Sequence, residues 1–437
     1  MSQFKTIDLF AGCGGLTLGL HNAGFSLLFA IEKDPMAFET LAYNLLRKGG
    51  SFPTINSWPS WVTKTPHDIV KFVDEQEANL KTLRGSVDLV CGGPPCQGFS
   101  VGGLRDGADT RNALSEHYLK LVALVRPRFV LLENVEGMTR AFVSKPGSNS
   151  KNYVDFLKSE LLSAGYVSEH RILDASKYGV PQKRKRMFLF AVNIEDPDND
   201  GLSPSMLFTA LEKWRSDFLK SKKLPLREIT AGEALSDLIS PERTVCPDAP
   251  KFMCCKYGKA VSRFAVLMRK SIRNGQIPDS HRFSNHTKPV LAFYKLVHAS
   301  MPYGRLPRAF LREQGTKKDK KVFLDPTKPC STITTHPDEF IHFAEPRIIS
   351  VREMARLQSF PDTFHFKGRY TINGDRRRFD VARCSQVGNA VPPILAEALG
   401  YSLKRLVKLH KSSKTPLSQL DEWKSNDVDQ LNLALNK

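Results

Sequence analysis

Phe4-Lys5-Thr6-Ile7-Asp8-Leu9-Phe10-Ala11-Gly12-Cys13-Gly14-Gly15 decides the fold of this chain. Phe4–Phe10 alternates and then runs apolar, the pattern of a strand that enters a core. Ala11–Gly15 is a glycine-rich turn, and Leu16–Ala23 continues with helical apolar spacing. A strand, a glycine loop and a helix in that order open a nucleotide-binding α/β unit. Glycine lets the backbone approach a ligand closely, and a helix N-terminus offers unpaired N–H groups. A second strand, Ser26–Ile31, ends in Glu32, twenty residues after Gly12, where a carboxylate takes the two hydroxyls of a ribose. The loop is G-x-G-G with Asp8 before it, which suits a nucleoside better than a pyrophosphate.

Working outward, Met36–Arg47 reads as a helix, and a loop rich in Pro, Ser and Trp leads to His67-Asp68-Ile69. Asp68 is placed either to accept from an adenine amine or to cap a helix. Val87–Cys91 is a short apolar run, followed by Gly92-Gly93-Pro94-Pro95-Cys96-Gln97-Gly98-Phe99-Ser100. The glycines end the strand and the prolines stiffen the turn, so Cys96 is held on a rigid loop past a strand's carboxyl end. That placement suits a thiolate nucleophile, and equally a small buried hydrophobe. Residues 101–112 read as a mobile flap beside Cys96.

Helix Glu116–Val125 precedes strand Phe129–Leu132, which ends in Glu133-Asn134-Val135. A carboxyl in a partly apolar pocket keeps its proton and can act as an acid, which makes Glu133 a candidate; a strand-end cap is the plainer alternative. After helix 153–164 and strand Tyr166–Leu173 comes Gln182-Lys183-Arg184-Lys185-Arg186, running into strand Met187–Val192. Strand periodicity puts Arg184 and Arg186 on one face, aimed at the same pocket. Four basic residues in a row before a buried strand are equally a solvated edge.

A length of 437 residues accommodates two domains and a tail, and 41% hydrophobic with 25% charged residues is an ordinary globular composition. No apolar run approaches the roughly 20 residues of a membrane span, and Met1–Lys5 has no secretory signal character. The eight cysteines show no C-x-x-C spacing, so neither zinc nor a disulfide framework is expected. An intracellular, reduced, cytoplasmic protein follows. The net charge of +19 is concentrated: residues 251–312 hold 13 Lys and Arg against one acid, Asp279. Residues 1–100 hold 8 against 9. A polyanion, nucleic acid before others, is the expected partner.

The acidic turn Glu195–Asp200 marks the expected domain boundary. The catalytic and cofactor-binding part covers 1–192, an irregular recognition domain 193–330, a return to the catalytic domain 331–410, and a polar tail 411–437. His281, Arg282, Asn285, His286 and Lys288 read as a polar surface within the second of these. Helix Ser350–Ser359 restores regular structure, and Gln386–Pro393 opens a long helix reaching about Leu409.

Taken together, Asp8–Gly15, Gly93–Gln97, Glu133–Val135, Gln182–Arg186, Arg352–Pro361 and Gly388–Val391 resemble the DNA cytosine carbon-5 methyltransferase family, of prokaryotic restriction-modification type. The resemblance covers residues 4–192 and about 345–405. It implies a Rossmann-like methyltransferase fold with a central mixed sheet, plus a smaller recognition domain. The implied cofactor is S-adenosylmethionine, leaving as S-adenosylhomocysteine, with no metal. Phe10 would lie against the adenine, Glu32 on the ribose and Asp68 near the adenine amine. Pro94, Leu114, Asn389 and Val391 complete the cofactor site, the last three by the methionine part, and Gly12, Gly14 and Gly15 form the loop beneath.

The implied reaction adds the Cys96 thiolate to carbon 6 of a flipped-out cytosine, with Glu133 on ring nitrogen 3, Arg184 as the catalytic arginine on the carbonyl oxygen and Arg186 as its support. Contacts to duplex DNA are expected from Gln97, Ser100, Arg186, Arg282 and Lys288. A monomer, working beside a separate restriction endonuclease, fits the family habit. An RNA methyltransferase of the same family, an inert nucleic-acid binder and a nicotinamide dehydrogenase are the alternatives. The Cys-Gln-Gly-Phe-Ser run, the retained Cys96, Glu133 and Arg184, and the cysteine and arginine blocks weigh against them in turn.

Overall fold

The computed structural model describes residues 4–47, 58–95, 112–139, 153–270, 272–316, 318, 320–371 and 380–412. Its first strands are β1 (Phe4–Leu9), β2 (Phe25–Ile31), β3 (Leu89–Gly92) and β4 (Phe129–Val135). They are followed by β5 (Tyr166–Asp174), the two-residue β6 (Gln182–Lys183) and β7 (Lys185–Asn193). Six of them make one sheet in the order β2-β1-β3-β4-β7-β5. β2, β1, β3 and β4 run parallel, and β7 is antiparallel to both β4 and β5. The sheet is therefore mixed, as expected. All seven residues of β2 are buried, because helices cover both faces of a parallel sheet.

One face packs Ile7, Leu9, Phe29, Val90 and Leu132 against helices Ile69–Glu75, Asn112–Val125 and Tyr153–Ser163. The other packs Leu27, Ala30, Cys91 and Phe190 beneath helices Gly15–Asn22, Pro204–Lys213 and Pro393–Ser412. Helices Gly15–Asn22 and Pro393–Ser412 touch closely: a Cβ on Gly19 would sit 2.3 Å from the Pro393 carbonyl oxygen, and one on Gly400 2.7 Å from the Ala23 Cβ. The C-terminal helix thus lies on the helix after β1, and the strand itself is one layer further in.

Three expectations need correcting. Segment 193–330 is not recognition domain throughout. Helices Pro204–Lys213 and Arg215–Ser221 place Leu207, Leu211, Trp214 and Phe218 in the same core as Leu399 and Leu403 of the C-terminal helix. The smaller unit begins nearer the antiparallel pair Arg243–Cys246 and Ala249–Cys255. It continues through helix Lys288–Ser300 and a three-stranded sheet of Gly304–Arg305, Val322–Phe323 and Phe340–Ile341, around Tyr294, Val297, Leu306 and Leu311. Secondly, Gln386–Asn389 belongs to a helix of its own, Arg383–Asn389, and the long helix starts only at Pro393. Thirdly, His281 is fully buried. Its ring bonds Ser350 Oγ at 2.7 Å and the Leu238 carbonyl at 3.0 Å, so it joins the two units and reads nothing.

Arg352 makes the same junction, donating to Asp279 Oδ2 at 3.0 Å and to the Asp279 carbonyl at 2.8 Å, and buried ion pairs brace the segment beside it. Arg356 donates to Asp237 Oδ1 at 2.8 Å and to Asp362 Oδ1 at 2.7 Å, and Arg347 grips both oxygens of Glu353 at 2.7 and 2.8 Å. Charges so deep are tolerated only when paired and hydrogen-bonded.

Candidate active site

In an open α/β sheet, ligands gather where the strand order reverses, past the strands' carboxyl ends. Here that point lies between β1 and β3, and a cleft of about 580 Å³ opens there, within the range of small-molecule sites. β1 gives way to Phe10, which takes φ +57°, a strained left-handed conformation for a bulky residue. The chain can then turn at Gly12, whose φ is +56° and whose missing Cβ would meet only open space. The Gly12 N–H donates to Glu32 Oε2 at 2.8 Å and the Asp34 N–H to Oε1 at 2.7 Å. Glu32 is thereby fixed at the end of β2, and burial raises its carboxyl above the usual range despite those donors.

Asp68 caps helix Ile69–Glu75 and also faces the cleft. Its Oδ1 accepts from the Val70 N–H at 3.0 Å, and Lys33 Nζ lies 2.7 Å from Oδ2. Burial pushes this carboxyl up, but Lys33 and the helix N–H groups outweigh it and hold it low. The capping reading of Asp68 therefore holds, and the same side chain faces the cleft. Phe10, Gly12, Gly15, Glu32, Pro94 and Leu114 line the cleft, as do Asn389 and Val391 from the far end of the chain. Gly14 lies behind it at φ +92°, where a Cβ would come 2.8 Å from the Leu45 side chain.

The floor of the cleft is built by β4 and β7. Glu133 lies inside β4, and the strand runs on to Val135. Gly93 passes so close that a Cβ there would sit 3.0 Å from the Glu133 carbonyl oxygen and 3.1 Å from its Oε2. Burial pushes the Glu133 carboxyl up, and Arg186 and Arg184 pull against it. The guanidinium beside it belongs to Arg186, with Nε 3.1 Å from Glu133 Oε1.

The arginine beside Glu133 is thus the one expected to support, and Arg184 makes other contacts. Arg184 is buried and donates to the carbonyls of Ile333 at 3.1 Å and Gly388 at 2.9 Å. The cause is register: Arg184 falls in the break between β6 and β7, whereas Arg186 is paired with Val135 across the β4–β7 ladder.

Asn134, quoted in the sequence only as part of a motif, has a role of its own. Its Nδ2 donates to the Pro94 carbonyl at 2.7 Å and its Oδ1 accepts from the Val135 N–H at 2.9 Å. It ties the proline turn to β4. Gln182 does similar work, accepting from the Ile333 N–H at 2.8 Å and donating to Gln358 Oε1 at 2.9 Å. Cys96, Gln97, Ser100 and all but the last residue of the flap assigned to 101–112 lie outside the described residues, and Asn112 begins a helix. Arg282 is sandwiched between Phe252 and Tyr370, 4.2 and 4.1 Å from the ring centroids. Its planar faces pack on those rings. Lys288 is exposed at the first turn of its helix. Of the 13 basic residues in 251–312, Arg269 is buried and Arg282 half-buried, which leaves 11 exposed.

Residues 4–405 match the sequence model of the C-5 cytosine-specific DNA methylases. The chain belongs to that family. It is similar to the Type II methyltransferase M.DdeI of Desulfomicrobium norvegicum, 32% identical over 90% of this chain and 86% of the relative. M.XorII of Xanthomonas oryzae pv. oryzae is 30% identical over 95% and 87%. Among solved structures, a protein described as a DNA modification methyltransferase encoded within an E. coli prophage superposes with a TM-score of 0.61 at 26% identity, covering 93% of this chain and 100% of that one. The S. pombe Dnmt2 methyltransferase, at 15% identity and a TM-score of 0.51 over 94% and 100%, shares the fold. The protein is thus an enzyme of DNA cytosine methylation that uses S-adenosylmethionine. Among the described residues, no group of three or more His, Cys, Asp or Glu could hold a metal ion. No described helix is long and apolar enough to cross a membrane.

Proposed function

We propose that this enzyme methylates carbon 5 of a cytosine flipped out of a specific duplex DNA sequence, through a covalent adduct with Cys96. The observation that carries the reading is the Glu133–Arg186 pair on the floor of the cleft, against the Gly93-Pro94-Pro95 turn that leads into Cys96. Phe10, Glu32, Asp68, Leu114, Asn389 and Val391 bind the cofactor, with Glu32 suited to the ribose hydroxyls and Asp68 to the adenine amine. S-Adenosylmethionine supplies the electrophilic methyl group.

Carbon 5 of cytosine is a weak nucleophile while the ring keeps its aromaticity. The Cys96 thiolate adds to carbon 6, and Glu133, whose hold on a proton burial strengthens, hydrogen-bonds or protonates ring nitrogen 3. Arg186 stabilises the charge that develops at the carbonyl oxygen and orients Glu133. The resulting enamine takes the methyl group, and loss of the carbon-5 proton to water expels Cys96. Arg184 holds the cleft closed from behind. The exposed basic residues, Lys288 among them, bind phosphates and offset the few kcal/mol needed to extrude the base. We take the enzyme to act as a cytoplasmic monomer on DNA, beside a separate cognate endonuclease. The test is transfer of labelled methyl from S-adenosylmethionine to unmethylated genomic DNA, followed by bisulfite sequencing. Modification at one short motif is expected. A Cys96→Ser protein that kept full transfer would overturn the mechanism.

A further inference from the structure

β1 carries a carboxyl group to the back of the cleft and leaves half of it without a strong partner. Asp8 stands opposite Cys91 of β3 and Ala30 of β2, at the reversal of the strand order. It lines the cleft yet is only 1% exposed. Its Oδ2 accepts from the Thr17 hydroxyl, and its buried Oδ1 has no hydrogen-bond partner of good geometry among the described residues, the weak Cys91 thiol being the other donor beside the carboxyl. The groups that face it are Thr17, the Cys91 thiol, Tyr118 and Glu32. None of them is a cation, and the buried Tyr118 hydroxyl also lacks a partner. Burial, reinforced by the Glu32 charge, raises Asp8 to about 7 against its hydrogen bonds. A half-satisfied carboxylate is costly in such a place. An incoming positive charge would relieve that cost.

We propose that Asp8 makes the cleft discriminate between the cationic cofactor and its uncharged product. The inference builds on the reading of the cleft as the S-adenosylmethionine site. Methyl transfer converts a sulfonium into a thioether, so cofactor and product differ at that sulfur by one unit of charge, while the ammonium and carboxylate of the methionine part stay the same. A carboxylate at low dielectric holds the cation more tightly. When the sulfonium charge is lost, Asp8 regains its raised affinity for a proton, which it takes from solvent, and the product keeps only the contacts to its adenine, ribose and amino-acid parts.

The probes are S-adenosylmethionine and S-adenosylhomocysteine, each titrated calorimetrically into the full chain between pH 6 and 8.5. Binding the cation to a protonated Asp8 must release a proton, and binding the product need not. The affinity ratio in favour of S-adenosylmethionine should therefore fall about tenfold between pH 8 and pH 6. Asp8→Asn should flatten that profile and lower the ratio at pH 8. His67→Gln, at the one histidine lining the described cleft, should leave the profile in place. Thr17→Val removes the donor on Oδ2 and should move the midpoint to higher pH, which keeps the test open if Asp8→Asn does not fold. The same pH dependence for both ligands, or a folded Asp8→Asn protein that keeps the full ratio, would overturn the proposal. If neither ligand binds the unaltered protein, the cofactor reading falls and the inference with it.

Discussion

Arg186 Nε lies 3.1 Å from Glu133 Oε1, joining β7 to β4 on the floor of the cleft, while Arg184 two residues earlier turns away to the backbone carbonyls of Ile333 and Gly388. On the proposed mechanism, the two arginines of one short motif are divided between chemistry and architecture. Arg186→Ala should leave the fold near its original stability and lower kcat by about 10²-fold or more, the scale of losing one charge-stabilising donor. Arg184→Ala should instead lower the melting temperature, because it leaves two buried carbonyls without donors. Steady-state kinetics and thermal melting on the two variants separate these outcomes.

Asn134 tests how firmly the cysteine loop must be held. Its bond to the Pro94 carbonyl ties that turn to β4. Asn134→Ala should cost about 1–2 kcal/mol of stability. The larger effect should be on kcat, with DNA affinity little changed. Trapping the covalent adduct on DNA containing 5-fluorocytosine would show whether adduct formation is the slowed step.

Gly12 and Gly15 should respond differently to the same added methyl group. At Gly12 the Cβ meets open cleft, and the main expense is φ +56°, about 1 kcal/mol. Gly12→Ala should therefore fold and bind cofactor poorly. At Gly15 the Cβ would lie 2.4 Å from the Val391 carbonyl oxygen. Gly15→Ala must push the 390–391 segment outward, at a cost of about 2–3 kcal/mol. Melting curves with and without S-adenosylhomocysteine distinguish a ligand defect from a fold defect.

Lys288 and Arg282 should also part company. Lys288→Ala should weaken DNA binding evenly across sequences and reduce the salt slope of log K by about 1. Arg282→Ala should lower stability, since its guanidinium fills the gap between Phe252 and Tyr370. Filter binding across a salt series, alongside thermal melting, makes the comparison.

Two buried histidines set an acid limit. Burial lowers His281 and His342 to about 4 from an ordinary 6.5, against the pull of Glu353. Both folded values lie below the unfolded one, so their contribution is complete above pH 6.5 and is lost as pH falls through about 4. Each ring accounts for on the order of 3 kcal/mol by that point. Unfolding by urea from pH 7 down to pH 4 should show this loss, and His281→Asn should shrink it.

The strands and glycine turns around the cofactor cleft were legible because their signals are local. Glu32 and Asp68 stand at fixed distances from Gly12, and Pro94-Pro95 stiffens a turn whatever surrounds it. The arginine assignment was not legible, since a one-residue break between β6 and β7 decides which side chain meets Glu133. Helices Pro204–Lys213 and Arg215–Ser221 had a readable period in Leu207, Leu211, Trp214 and Phe218, obscured by the prolines and acids before them. The buried charges were out of reach: Arg356 meets Asp237 from 119 positions away, and nothing near either residue announces the other.

The far wall of the cleft comes from Gln386, Asn389 and Val391, translated more than three hundred and fifty codons after Phe10. A ribosome that has released the whole central sheet has therefore still not released a site that can hold the methyl donor. Activity arrives late in synthesis and all at once. A gene cut between the sheet and the closing helix should yield two silent halves, which regain methylation only when both are present to meet.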